Sequence, residues 1–266
     1  MIKHYLKVAF RNLMKYKMPS FVSIIGLAVG FTCFALSALW IRYEMTYDNF
    51  HKGSDRIYMV RAHYANEPGT SKFTPYPLME YLQDKMPEIE AATAFTPHHV
   101  KFRLEETEQE VGMIDADSVF MNFFDIQLLK GTVNFLKSDG QEVAITKEFA
   151  KRLFSKEEDA LGKEVEVGRR VCKIGAIVSG WSNHSNIPYN ILAPARHSPR
   201  WGSSNEQLFI RVRERTDIDA FRTKMSTVRI NDIEKESELS DLLITRMSAL
   251  RYSDYVDKAD VVISFS

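Results

Sequence analysis

The residue types that carry most enzyme chemistry are present in this chain, but their spacing matches no catalytic motif. A phosphate-binding loop needs a glycine five residues before its Gly-Lys pair and a hydroxyl residue after the lysine. The turn at Gly162-Lys163 has Glu157 and Glu164 at those two positions. Zinc-protease, dithiol and nucleophilic-serine spacings are also missing from the sequence. The sequence therefore contains no motif for ATP hydrolysis and predicts that the chain is not an enzyme.

Histidine and aspartate side chains could bind a metal ion at three places. His98 and His99 are adjacent, so in a strand they would point to opposite faces and could not share an ion. His184 has no second ligand at usable spacing, and its Ser and Asn neighbours favour a solvated turn. Asp115 and Asp117 precede a serine at strand spacing, but an aspartate that caps a helix is the favoured interpretation. We therefore expect neither a metal nor a cofactor.

The stretch that must position everything else is Phe21 to Ile41, which contains no charged side chain. At about 1.5 Å rise per residue, a helix of this length reaches about 30 Å, enough to cross the hydrocarbon core of a bilayer. Its few polar side chains are small hydroxyls and a thiol that can bond to backbone carbonyls within the bilayer. The sequence predicts a transmembrane helix over residues 21–43.

The residues on either side of this run indicate its orientation. The basic residues that precede it, with no acidic residue among them, are Lys3, Lys7, Arg11, Lys15 and Lys17. Glu44 and Asp48 follow the run, so the positive-inside rule places the N-terminus in the cytoplasm and the chain from about Glu44 onward outside it. Residues 1–20 have apolar side chains at helical spacing and are predicted to form a basic amphipathic helix on the cytoplasmic face, before Pro19 turns the chain into the bilayer.

Two interpretations of the apolar run stay open. Gly26 and Gly30 have the GxxxG spacing, which places two glycines on one helix face and lets another helix approach; the motif alone does not separate a packing face from chance. A cleaved signal peptide is the alternative to a retained helix, since Ala35-Leu36-Ser37 resembles a cleavage site. The long basic segment and the continuation of the run to Ile41 favour the retained helix.

Charge and cysteine content limit what the rest of the chain does. Five of the 35 basic residues and none of the 35 acidic ones precede the apolar run, so the remainder carries a net charge of −5. An acidic outer domain gives no support for nucleic-acid binding. Cys33 lies in the apolar run and Cys172 in a strand-like segment, so we expect no disulfide.

Several segments together resemble a known family. They are Gly26 to Gly30 in the helix, Tyr47-Asp48, Phe50-His51 and Asp55 to Tyr58 just after it, and the longer segments 117–131 and 142–179. On these residues the chain resembles a bacterial ABC transporter permease of the MacB/FtsX type, in which a basic N-terminal helix and a first membrane helix lead into an extracytoplasmic core domain. Met59 departs from the pattern, where a basic residue is expected.

The resemblance implies an α+β fold, with one N-terminal transmembrane helix and a mixed α+β extracytoplasmic domain of two lobes over residues 44–250, followed by a tail over 251–266. The residue pattern predicts strands over 56–64, 91–95, 100–104, 111–115, 142–145, 164–167, 171–179, 208–212 and 242–247. It predicts helices over about 77–86, 147–154 and 216–228, the last two capped by Thr146 and Thr216, and a short helical turn that buries Val119, with Gly131 ending the run that follows it. Trp181 and Trp201 could line a groove, or one could be buried and the other partly exposed.

The resemblance also implies a function: a permease subunit of the inner (plasma) membrane that works with a separate cytoplasmic ATPase subunit. The expected assembly is a homodimer or a pairing with other permease segments. The residues to which it assigns roles are Gly26 and Gly30 for helix packing, Lys7 and Arg11 for the cytoplasmic contact, and Phe120, Phe123, Phe124 and Gly162 for the domain framework. The family continues into further membrane helices, whereas 251–266 is too short to span, so we expect an N-terminal fragment or a truncated permease.

Two other functions remain as alternatives. A membrane-anchored binding or sensor domain without transport would work alone and would have no ATPase among its neighbouring genes. An anchored enzyme would need a convergent pocket of acid, base or metal groups, for which the sequence shows no motif.

Overall fold

The computed structural model describes residues 4–5, 11, 14–46, 48, 50–51, 53–64, 69–181, 185–228 and 239–251. The chain divides into two units, Met1–Thr46 and Tyr47–Ser266. Lys7, His184 and residues 252–266 of the predicted tail lie outside the described residues, as does most of the predicted amphipathic helix.

The first unit contains helix α1, Lys17–Met45. Its part Lys17–Glu44 is long and apolar enough to cross a membrane by length and composition, and its side chains are almost all exposed. The helix begins four residues before the apolar run, so the expected turn at Pro19 is wrong. Proline fits in a first helical turn because its backbone nitrogen needs no partner there, and Ser20 N–H already bonds to Tyr16 O at 3.1 Å.

The second unit is built on a mixed sheet. The strands are β1 Ile57–Tyr64, β2 Thr70–Ser71, β3 Thr74–Pro75, β4 Ile89–Leu104, β5 Thr107–Ala116, β6 Leu128–Gly131, β7 Glu142–Thr146, β8 Glu164–Val167, β9 Arg170–Val178, β10 Ile191–Pro194, β11 Ser204–Val212 and β12 Leu239–Arg246. Their order across the described sheet is β12-β1-β11-β4-β5-β10-β7-β9-β6, with β2 on β1, β3 on β11, and β8 on both β4 and β9. The α+β fold expected from the sequence is confirmed. The short strands β2, β3 and β10 are too brief to show a periodic pattern and were not predicted.

In the described part of the domain, four helices and four 3₁₀ turns accompany these strands. They are α2 Pro77–Lys85, α3 Ser118–Phe123, α4 Lys147–Leu153 and α5 Ile218–Ser226, with 3₁₀ turns at Ser54–Arg56, Val133–Lys137, Glu157–Ala160 and Met247–Ala249. Thr146 caps α4 as expected, accepting from Phe149 N–H. The cap predicted at Thr216 is wrong: Asp217 caps α5 by accepting from two backbone N–H groups, while the Thr216 hydroxyl donates to Arg213 O.

Strand β4 joins two lobes. Its first half pairs with β11 up to Phe95, and its second half pairs with β5 from Thr96 onward. The two predicted runs, 91–95 and 100–104, are therefore one continuous strand. Pro97 does not break it, because β4 has a neighbour on only one side there, the setting in which a sheet tolerates proline.

The two lobes differ in how their strands close. In one lobe β12, β1, β11 and the first half of β4 form an open sheet, whose buried cluster includes Leu82 of α2 and Phe221 of α5. In the other lobe β8 pairs with both β9 and β4, so β4-β5-β10-β7-β9-β8 closes into a ring of six strands. The ring has its own core, which includes Phe102, Ile145 and Phe149. A third cluster, rich in aromatic rings, contains residues of both lobes and of α3.

Candidate functional site

The first described residue after α1 and its cap, Asp48, is fully buried in the sheet domain. Its Oδ1 accepts a hydrogen bond of 2.6 Å from Ser185 Oγ, and its Oδ2 accepts one of 2.6 Å from Asn186 Nδ2. The Asn186 backbone N–H also donates to this carboxylate, at 3.2 Å from Oδ2. Charge-assisted bonds of this length are about twice as strong as neutral ones, so Asp48 fixes the loop before β10 to the start of the domain.

His51 lies three residues further on, and it too is buried. Its ring centroid is 4.8 Å from that of Trp181 and 5.1 Å from that of Phe124. Burial, together with the nearby Arg211 cation, lowers the pKa of His51 to about 4, although Asp125 opposes the shift. Within the described residues, His51 Nε2 has no hydrogen-bond partner. His51 is therefore a neutral ring at pH 7 and packs as an aromatic residue.

Helix α3 and Phe124, the residue that follows it, belong to the aromatic cluster, and Phe124 contacts His51. Asp117 caps this helix, accepting from Phe120 N–H at 2.8 Å, which confirms the capping interpretation. Phe120, Phe123 and Phe124 are all buried in the aromatic cluster. Val119 was expected beside them but is 41% exposed, because a helix of six residues turns one side to solvent.

Both tryptophans pack against aromatic rings. Trp181 contacts Phe124 and Tyr189 at centroid distances of 4.9 and 5.0 Å, and Trp201 lies 6.2 Å from Tyr81. Within the described residues neither tryptophan lines one of the cavities found in the domain. Both residues are half-buried and pack against core clusters, so the alternative of one buried and one partly exposed tryptophan does not hold.

The other residues to which the sequence assigned roles lie apart from this cluster. Gly162 occupies the turn before β8 with φ +77°, and its N–H donates to Ile174 O at 2.8 Å, so its role is a backbone conformation that side chains disfavour. Gly26 and Gly30 lie on the exposed surface of α1, where an added Cβ would meet no atom within 4 Å. Arg11 is exposed.

A second histidine, His197, is half-buried and lies between two carboxylates near the ring lobe. Its Nε2 is 3.6 Å from Asp117 Oδ2, its Nδ1 is 3.8 Å from Glu206 Oε1, and its ring stacks on Tyr76 at 3.9 Å. Burial alone would lower the pKa of His197, but the two carboxylates overcome that effect and raise it to about 9. The histidine is thus a cation at pH 7 that joins the cap of α3 to β11.

These groups do not form a metal centre. His98 Nε2 lies 3.8 Å from Asp115 Oδ1, and burial raises the pKa of that carboxyl. Among the described residues no group of three or more His, Cys, Asp or Glu side chains could hold a metal ion. Both cysteines are free thiols in that part of the chain.

Sequence reasoning missed the partners of these side chains. Asp48 and His51 were part of the family resemblance, but Ser185, Asn186 and His197 were not singled out. Asp48 and Ser185 are 137 positions apart, and no local pattern in a single sequence links residues at that distance.

The fold has relatives among solved structures. The chain is similar to a domain of a permease protein from Porphyromonas gingivalis, at 19% identity and a TM-score of 0.60, covering 74% of this chain and 92% of that one. It is also similar to the extracellular domain of the ABC-type transporter YknZ from Gram-positive bacteria, at 14% identity and a TM-score of 0.52, covering 71% and 99%. A third similarity is to the periplasmic region of MacB from Actinobacillus actinomycetemcomitans, at 12% identity and a TM-score of 0.52, covering 76% and 94%. At these identities the likeness is one of fold.

A family comparison agrees with the structural one. No curated protein is similar enough in sequence to count as a match. The model of the MacB-like periplasmic core domain, however, matches residues 20–228. An apolar N-terminal helix followed by such a domain is the organisation of a membrane-anchored protein with an extracytoplasmic domain. Because the match spans well over half of the 266 residues, this chain belongs to the family of MacB-like periplasmic core domains of ABC transporter permeases.

Proposed function

We propose that this chain is a permease subunit, or the N-terminal part of one, of an ABC-type exporter. In this proposal a separate cytoplasmic subunit hydrolyses ATP, and the outer domain of this chain moves in response, for export or for transmission of force to a partner. The family supports a permease role, and the sequence has no ATP-hydrolysis motif of its own.

The observation that carries the coupling part of the proposal is the burial of Asp48 and His51. Both follow α1 closely in the chain, and both are held in the domain, one by short hydrogen bonds and the other by aromatic packing. A flexible linker after α1 would let the helix move without moving the domain. A fixed segment instead transmits displacement, since packed elements shift as units.

The remaining assignments extend the same proposal. Residues 1–20 lie at the cytoplasmic face of the inner (plasma) membrane, 21–43 cross it, 44–250 form the periplasmic domain, and 251–266 form the tail. Lys7 and Arg11 contact the ATPase subunit. Gly26 and Gly30 form the packing face for a second copy or for other membrane segments of the permease; their open surface on α1 leaves room for a close approach.

The experiment is an affinity purification of the full-length chain from its own membranes in mild detergent. We expect a phosphate-binding-loop ATPase to co-purify and to hydrolyse ATP at a rate that depends on the chain. Replacing Lys7 and Arg11 with glutamate should release the ATPase, whereas Lys130→Gln, a substitution in the outer domain, should not.

Recovery of the chain without an ATPase and without further membrane segments would contradict the transporter proposal. That result would instead favour the membrane-anchored binding or sensor domain that works alone.

A further inference from the structure

The six-stranded ring has an open mouth that forms a cavity of about 360 Å³. Every strand of the ring contributes to its wall: Thr96 from β4, Met113 and Asp115 from β5, Val143 from β7, Val167 from β8, Arg170 and Cys172 from β9, and Ala193 and Pro194 from β10. Its volume falls within the range of small-molecule sites, and the mouth of a barrel is a common place for one. The cavity is thus a product of the closed topology and not of a surface irregularity.

Two adjacent arginines line this cavity: Arg169, in the turn between β8 and β9, and Arg170, the first residue of β9. The turn is fixed, because Gly168 adopts φ +64° and its N–H donates to Lys101 O at 2.7 Å. Neither arginine has a hydrogen-bond or ion-pair partner among the described residues, although the chain beyond the membrane segment is acidic. Opposite them lies Gly140, where an added Cβ would come within 3.2 Å of Arg170 Nη1, so the missing side chain leaves room for the guanidinium.

The other charged groups around the cavity are already compensated. Arg196 binds the Asp139 carboxylate and donates to its backbone carbonyl at 2.9 Å. His197 lies between Asp117 and Glu206. The Asp115 carboxyl interacts electrostatically with His98, Arg170 and His197, while burial raises its pKa and disfavours its charged form. It therefore compensates Arg170 only in part, and Arg169 and Arg170 together leave an excess of positive charge at the mouth.

Part of the cavity lining is apolar. Met113, Val143 and Val167 contribute to it, together with Cys172, whose thiol stays neutral because burial raises its pKa to about 11. A ligand that fills this space needs a short apolar part and an anionic group that reaches the arginines. Guanidinium groups bind such anions well, since their planar pairs of N–H donors match the two oxygens of a carboxylate or a phosphate.

We propose that the mouth of the ring is a binding site for a small organic anion, whose carboxylate or phosphate is held by Arg169 and Arg170 and whose apolar part contacts Met113, Val143 and Val167. This binding belongs to the outer domain alone. It is expected whether or not the chain works with an ATPase, so the failure of one proposal leaves the other standing.

The test is calorimetric titration of the full-length chain in detergent micelles with succinate, inorganic phosphate and succinamide. Succinamide has nearly the size of succinate but no charge. We expect succinate or phosphate to bind, binding to weaken as salt rises, and succinamide not to bind. Replacing both Arg169 and Arg170 with glutamine should weaken anion binding at least about tenfold, since each charge-assisted pair accounts for about that factor.

Arg222→Gln is the matched control, because Arg222 is an exposed arginine of α5 outside the cavity. It should leave anion binding unchanged. The proposal is overturned if neither succinate nor phosphate binds at concentrations up to about 10 mM, well into the range of weak binding. It is equally overturned if the Arg169/Arg170 double variant binds as the unaltered chain does, since both arginines would then be solvated surface residues.

Discussion

The sheet domain contains a buried histidine and a half-buried one, and their surroundings shift their pKa values in opposite directions. His51 follows the membrane-type helix and lies among aromatic rings, and its pKa falls to about 4. His197 borders the mouth of the ring and lies between two carboxylates, and its pKa rises to about 9. Burial acts in the same direction at both sites, so the neighbouring charges decide the outcome.

This difference separates two kinds of region. The rings that contact His51 are aromatic, and the Asp48 carboxylate, three residues earlier, accepts short bonds from Ser185 and Asn186. Such well-fixed surroundings are what the proposed coupling to α1 requires. Around His197 several charges lie at the mouth of the ring, beside two arginines that have no hydrogen-bond or ion-pair partner in the described part of the chain, which suits the exchangeable ligand proposed above. The comparison predicts that the two regions respond differently to substitution and to pH.

The largest effect is expected from Asp48→Ala. The substitution leaves the buried donors of Ser185 and Asn186 without an acceptor, so the free energy of unfolding should fall by about 4 kcal/mol. Urea unfolding of the full-length chain in detergent, followed by tryptophan fluorescence, measures this. Asp84→Ala, at an exposed aspartate of α2, is the control and should change little. Equal losses in the two variants would show that Asp48 does not fix the start of the domain.

A somewhat smaller effect is expected from His197→Gln. The folded pKa of His197 lies above its unfolded value of 6.5, so the protonated form stabilises the fold fully below pH 6.5, and this contribution is lost as pH rises through about 9. We expect the variant to be less stable by about 3 kcal/mol at pH 6 and to lose little further stability between pH 6.5 and 9, unlike the unaltered chain.

The control for that experiment is His99→Gln, which changes an exposed histidine of β4. The His99 variant should lose stability toward alkaline pH as the unaltered chain does. If the His197 variant lost the same stability over that range, the positive charge of His197 between Asp117 and Glu206 would not be the source of the pH dependence.

The sequence predicted the fold where its signals are local. The length of the apolar run indicated α1, hydroxyl and carboxylate side chains before apolar residues indicated the caps at Thr146 and Asp117, and Gly131 and Gly162 marked turns at positive φ. One error concerns a helix cap for which two neighbouring residues were both suitable. Thr216 and Asp217 could each cap α5, and the carboxylate, which accepts from two N–H groups, is the residue that does so.

The sites were less predictable because their partners are far apart in the chain. The motif that contains Asp48 and His51 could be recognised, but not that Asp48 binds Ser185 or that His51 packs on Trp181. β8 and β9 form a local hairpin, but the ring closes only because β8 also pairs with β4, a long-range register that single-sequence periodicity does not carry. In the sequence, Arg169 and Arg170 are typical residues of a polar turn, and only the closed ring shows that a cavity lies beside them.

The smallest effect, and the most selective, is expected from His51→Phe. The folded pKa of His51 lies below its unfolded value of 6.5, so protons bind preferentially to the unfolded chain, and stability falls as pH drops from 6.5 toward about 4. At pH 7 a phenylalanine ring should fit the same aromatic surroundings within about 1 kcal/mol, because the neutral histidine already packs as a ring. Between pH 7 and pH 5 the free energy of unfolding of the variant, relative to that of the unaltered chain, should rise by about 2 kcal/mol.

Urea unfolding at the two pH values measures this change. The control His99→Phe should lose stability toward acid pH as the unaltered chain does. If the His51 variant kept that loss as well, His51 would have to be protonated in the folded chain, and the contrast between a neutral histidine after the helix and a charged histidine at the ring would fail.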